Sequence, residues 1–174
     1  MISDPSLQRS QLLAVWGGVL LAVLAIAGES TAGMSHAHTG VWLHKLLGSH
    51  LDSGALNRVN TALRKSGHLI GYGMVGLMTF HAVQITATLR KAAQPLCNMK
   101  QVAAVAGVLF TFFLAVCDEV HQRYLPGRTA SIRDVVLDTC GAILFLAAAE
   151  FIPWRQYITT VQSRSCSVPA PISA

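Results

Sequence analysis

The sequence predicts an all-α integral membrane bundle of four transmembrane helices, with a short interfacial helix in the first outer loop. Two observations carry this. The chain of 174 residues is 52% hydrophobic and only 12% charged, with a mean hydropathy of +0.48, whereas an ordinary soluble domain carries about 25% charged residues. Four apolar stretches, Leu12 to Ala27, His68 to Leu89, Val102 to Cys117 and Val135 to Ile152, each approach the roughly 17 to 25 residues that cross a hydrocarbon core as an α-helix. Their apolar residues run all the way round, unlike the single stripe that a soluble four-helix bundle, the competing class, would show. Residues 1–152 are thus expected to form one membrane domain, and residues 153–174 a flexible cytoplasmic tail.

The first stretch admits a second reading. Its 16-residue apolar core ends in "AIA" at Ala25 to Ala27, which resembles the small-residue site of a cleaved signal peptide. The region before it holds one arginine, Arg9, and an acid, Asp4, a weak start for such a peptide. Retention as a span is therefore the expectation.

Residues 28–66 form the longest polar segment. Within it, "TGVWLHKLLGSH" sets Val41, Trp42, Leu43, Leu46 and Leu47 around a short helix suited to lying in the membrane interface. "LNRVNTALRKSG" follows, with Leu56, Val59 and Leu63 at spacings of three and four, and predicts a helix leading straight into the second span. His36, His38, His44 and His50 lack any fixed helical pairing and read as solvated loop residues more than a metal tract. Further along the second span, His81 and Gln84 read as polar groups satisfied between helices.

The loop "RKAAQPLCNMK" after the second span is purely basic, with Arg90, Lys91 and Lys100. The opposite side mixes Lys45, Arg58, Arg64, Lys65, Arg123, Arg128 and Arg133 with Glu29, Asp52, Asp118, Glu119 and Asp134. The density of positive charge places the basic loop, and with it both termini, in the cytoplasm. Trp154 and Tyr157 after the fourth span suit interfacial anchoring. The tail "SRSCSVPAPISA" is small, polar and proline-containing, a composition that does not bury a core. Cys97, Cys117, Cys140 and Cys166 have no metal-ligand spacing and imply no disulfide framework.

Antiparallel spans bring the start of the second, the end of the third and the start of the fourth to one face of the membrane, and there the polar residues gather. Arg64, His68, Tyr72 and Gly76 follow at four-residue steps, hence on one helical stripe. Asp118 and Gln122 share a face if the third helix continues past Cys117, before Pro126 and Gly127 turn the chain. Asp134 and Asp138 are four apart, with Asp138 about 6 Å deeper along the axis. Polar groups such as His68 and Asp138 are costly in lipid unless they face protein or water. A shared pocket at the outer interface satisfies them.

The pattern Lys65, His68, Tyr72, then Asp118-Glu119-x-His121-Gln122, Pro126-Gly127-Arg128, Asp134, Asp138 and Gly141 resembles the signature of the VanZ-like family, small multi-span bacterial membrane proteins named for a member associated with resistance to the glycopeptide teicoplanin. The resemblance covers residues 65–141, and it joins two separated motifs in the right order. It implies a bacterial inner-membrane location and a cell-envelope role, while the molecular activity of the family is itself poorly defined.

Three chemistries then compete. As an enzyme, the chain would use Asp118, Glu119, His68 and His121 as acids and bases while Lys65 and Arg128 hold an anionic headgroup, such as that of a lipid-linked envelope precursor. As a binding protein, the same cations, with Tyr72, Gln122, Asp134 and Asp138 and the helix starts near His68 and Asp134, would grip a phosphate or carboxylate without turnover. As a structural network, Lys65 or Arg128 would pair with Asp134, Asp138 or Glu119 and lock three helices together. Glu119, His68, His121, Asp134 and Asp138 are conceivable metal ligands, but no tight ligand motif joins them, and neither a metal nor a cofactor is implied. The net charge of +5 is scattered over both membrane sides, which suits anionic lipid as a partner and not nucleic acid.

Overall fold

In the computed structural model, residues 5–31, 36–48, 50–89, 99–125 and 130–151 are described, and all their regular structure is helical. The helices are α1 (Pro5–Glu29), α2 (His36–Leu47), α3 (Ser53–Leu89), α4 (Met99–Arg123) and α5 (Ile132–Phe151). The tail at 153–174, the basic loop at 90–98 and the turn at 126–129, which holds Pro126, Gly127 and Arg128, lie outside the described residues.

Among the described residues, three helices are long and apolar enough to cross a membrane: Ser6–Glu29, Ser53–Leu89 and Met99–Arg123, with mean hydropathies of 2.1, 1.3 and 1.9. The fourth expected span, α5, has 20 residues, enough for about 30 Å of helix. Its charges set it apart from those three: Arg133, Asp134 and Asp138 stand near its start and Glu150 near its end. The helical run before the second span does lead into it without a break, so α3 reaches 37 residues, or about 55 Å. His68 therefore lies well inside α3, whose N-terminus is at Ser53. The helix start expected near His68 is not there, and no N-terminal dipole acts on that side chain. The short helix expected around Trp42 appears as α2, with Val41, Trp42 and Leu46 exposed.

α3 is the central element and packs on α5, α4, α1 and α2. Small residues make the close crossings. A methyl group built on Gly107 of α4 would stand 2.7 Å from the Gly76 carbonyl oxygen of α3, and one on Gly76 would stand 2.7 Å from the Ala142 methyl of α5. Without a hydrophobic force between helices in lipid, such backbone approach and its dispersion contacts are what hold a bundle. Two apolar clusters fill the interior, one of Ile26, Tyr72, Val75 and Ala115 and one of Phe80, Ala103 and Leu146.

The outside is greasier than one end of the inside. Leu13, Leu20, Leu21 and Leu24 on α1, Leu109, Phe110 and Phe113 on α4, and Ile143 and Leu144 on α5 are all exposed, an apolar surface suited to hydrocarbon and not water. Asn60, Asp118, Glu119, Gln122 and Asp138 are buried. Their burial needs partners, and those partners define the site.

Candidate functional site

α4 continues past Cys117 to Arg123, so helical phase decides which residues of "DEVHQR" turn inward. Asp118, Glu119 and Gln122 are buried, whereas His121 is exposed and lines none of the cavities described below. Asp118 is the acceptor of a small network: its Oδ2 receives the Tyr72 hydroxyl at 3.0 Å and the Gln122 amide at 2.9 Å. Tyr72 is fully buried, and its ring stacks under His68 with centroids 5.9 Å apart. The four-residue stripe on α3 thus runs from the cavity wall at Arg64 and His68 down to a sealed contact at Tyr72.

Glu119 reaches the other way. Its Oε2 accepts the Ser131 backbone N–H at 2.6 Å. Ser131 immediately precedes α5, and its carbonyl receives the N–H groups of Asp134 and Val135 at 3.0 and 3.4 Å. The side chain of Glu119 therefore ties the start of α5 to the end of α4. Ser131 was not among the sequence candidates, although the spacing Ser131-x-x-Asp134 is a helix-start signature that points to it.

On α5, Asp134 lies 3.9 Å from the Lys65 ammonium, a long contact between partly exposed groups. Asp138, one turn deeper and 1% exposed, places Oδ2 at 3.5 Å from His68 Nδ1. Its Oδ1 is buried with no hydrogen-bond partner among the described residues. The ion pairing expected of a structural lock is thus realised only for Lys65 and Asp134 among the described residues, while Asp138 meets a histidine and Glu119 a backbone N–H.

These side chains enclose a cavity of about 180 Å³ lined by Thr61, Arg64, Lys65, His68, Glu119, Gln122, Asp134 and Leu137. A neighbouring hollow of about 220 Å³, lined by Glu29, Thr39, Leu43, Asn60 and Leu63, shares Arg64 and His68 with it. Of the predicted residues, Lys65, His68, Glu119, Gln122 and Asp134 line the first cavity; Tyr72, Asp118 and Asp138 stand behind them as partners; Arg128 lies outside the described residues. Arg64, read from the sequence as part of the polar stripe, is also on the cavity wall, and Thr61 and Leu137 are the lining residues that the sequence reading did not name.

Most of the acids have assigned tasks inside the protein. Asp118 is held by two donors, Glu119 by one, and Asp138 faces His68. The Lys65 side chain is 57% exposed, so its donors can serve a ligand at the mouth. His68 has one ring nitrogen facing a buried carboxylate while the residue lines both hollows, an arrangement that fixes a ring and leaves its second nitrogen for proton exchange. Among the described residues no three of His, Cys, Asp and Glu come together as a metal ion would require.

A family model described as VanZ/LLP1 matches residues 12–153, from α1 to just past α5. No curated protein and no solved structure matches the chain.

Proposed function

The chain belongs to the VanZ/LLP1 family, and from that premise we propose that it is a four-span protein of the bacterial inner membrane whose outer-face pocket binds an anionic component of the cell envelope. The observation that carries the reading is the gathering of Arg64, Lys65 and His68 with Glu119, Gln122 and Asp134 around one cavity at the shared end of α3, α4 and α5. Cations and amide donors lining a recess in a greasy bundle recognise phosphate or carboxylate by charge-assisted hydrogen bonds. The fourth crossing is α5, whose charges lie at its two ends, Arg133, Asp134 and Asp138 toward the pocket and Glu150 at the far end, and whose Ile143 and Leu144 are exposed as a lipid-facing helix requires. α2, with Trp42 outward, rests at the outer interface. Both termini and the tail at 153–174 lie on the cytoplasmic side, and the envelope role extends to glycopeptide susceptibility, teicoplanin in particular.

Turnover is the stronger form of the same reading. His68, held by Asp138, is the acid or base; Asp118 and Glu119 tune the wall; a lipid-linked precursor is the substrate class that reaches such a site from the outer leaflet. The alternative is a purely structural or partner-binding protein whose polar network only locks the helices, and the Glu119 to Ser131 contact favours it for that one residue.

The test is native mass spectrometry of the protein purified with its co-purifying lipids. Wild type is expected to retain an anionic lipid and Lys65→Ala to lose it at unchanged thermal stability; His68→Ala is expected to lose it too, with a lowered unfolding midpoint because the buried Asp138 is left without its histidine. Equal retention by all three, or no lipid on any, rejects the binding reading.

A further inference from the structure

Glu119 lines two hollows, not one. On one side is the polar cavity with Lys65 and Arg64; on the other is a groove of about 670 Å³ between α4 and α5. Phe112, Val116 and Val120 of α4 form its floor at four-residue steps, with Ile132 and Val135 of α5 opposite and Arg123 among its lining residues. The α4 stripe spans about 12 Å along the helix axis. It runs from the level of the buried acids toward the middle of a helix apolar enough to cross a membrane.

We propose that the groove holds the hydrocarbon chain of the ligand whose phosphate head sits in the polar cavity: a membrane lipid with a phosphate head, admitted sideways between α4 and α5. The proposal rests on the binding function above and adds the lipid class and its route. Three features of the groove favour a lipid chain. Its wall is mostly aliphatic and aromatic, it follows a membrane-crossing helix lengthwise, and it adjoins the head site across the Glu119 side chain, within the reach of one lipid molecule. Arg123 on the groove side and Lys65 and Arg64 on the cavity side offer the phosphate cations from both directions. Glu119, held to the Ser131 N–H at 2.6 Å, stands between them.

The experiment uses hexadecyl phosphate carrying a photoreactive diazirine in mid-chain, with the matching hexadecanol as the headless probe, on the full chain in phosphatidylcholine nanodiscs. The phosphate probe is expected to label peptides containing Phe112 to Val120 and Ile132 to Val135 at least about fivefold above the alcohol. Val116→Trp from one wall and Val135→Trp from the other are each expected to abolish that excess, while Val105→Trp, an exposed site elsewhere on α4, preserves it. Two wall variants keep the test valid if one misfolds. Excess labelling by the phosphate probe that Lys65→Ala removes but that lies outside the groove overturns the chain site and leaves the binding function standing. Identical labelling by phosphate and alcohol over all helices overturns both.

Discussion

Asp118 and Glu119 are neighbours in sequence yet serve opposite walls. Asp118 gathers Tyr72 of α3 and Gln122 of its own helix, whereas Glu119 fixes the start of α5. Tyr72→Phe removes one donor to a buried carboxylate and is expected to cost about 1.5 to 3 kcal/mol, read as a lowered unfolding midpoint in detergent. Glu119→Gln keeps an oxygen for the Ser131 N–H and is expected to unfold near the wild-type midpoint. Glu119→Ala leaves that N–H without its carboxylate and is expected to lose about 1 to 3 kcal/mol. If Glu119→Gln is stable but loses the envelope phenotype, the charge serves the ligand; a stable variant with full phenotype confines Glu119 to structure. Four-residue spacing made Arg64, His68 and Tyr72 on one helix and Asp134 and Asp138 on another legible in the sequence, and the family motif added Lys65. The inward turn of Gln122 and outward turn of His121 depended on α4 continuing through the polar run, which composition alone does not decide. The facing of His68 and Asp138 was equally hidden, because it depends on how α3 and α5 cross.

At the scale of the helices, each apolar stretch became a helix, since 16 to 22 apolar residues in lipid leave the backbone few other ways to satisfy its hydrogen bonds. Where α3 would begin was legible only as a tendency, for the helical phase of Leu56, Val59 and Leu63 joins the span without a breaker. The crossings were not legible: a glycine in a span reads the same whether it meets a neighbour or lipid. Gly141 is pressed against the Leu69 backbone, where a methyl would meet the carbonyl carbon at 3.1 Å, whereas Gly17 has nothing within 4 Å. Gly141→Ala must push α3 and α5 apart and is expected to cost about 1 to 3 kcal/mol. Gly17→Ala gains helix propensity and is expected to stabilise by a few tenths up to about 1 kcal/mol. Thermal unfolding of the two variants in the same detergent measures the contrast, and a Gly141→Ala protein as stable as Gly17→Ala refutes the close crossing.

For the whole molecule, the number of crossings decides where every loop lies. α1, α3 and α4 qualify by length and apolarity, and α5 is the helix in question, because Arg133, Asp134 and Asp138 stand near its start. If those charges are satisfied in the pocket and Glu150, near the far end of α5, falls at the level of the opposite headgroups, α5 is free to cross, and residues 153–174 share a side with the basic loop at 90–98. If α5 stays at the surface, the tail lies with the pocket instead. A membrane-impermeant maleimide applied to intact cells separates the two, using variants that carry one cysteine each and lack the exposed Cys117 and Cys140. Ser53→Cys, exposed at the start of α3, is expected to react, and Cys97 and Cys166 are expected to be protected until the cells are permeabilised. Labelling of Cys166 together with Ser53→Cys, with Cys97 protected, means that α5 does not cross. Labelling of Cys97 and Cys166 with Ser53→Cys protected keeps four spans but inverts them, and would move the pocket to the cytoplasmic face, away from any precursor of the outer leaflet. The density of positive charge in the loop at 90–98 favours the first outcome, because lysine and arginine in short loops are retained on the cytoplasmic side.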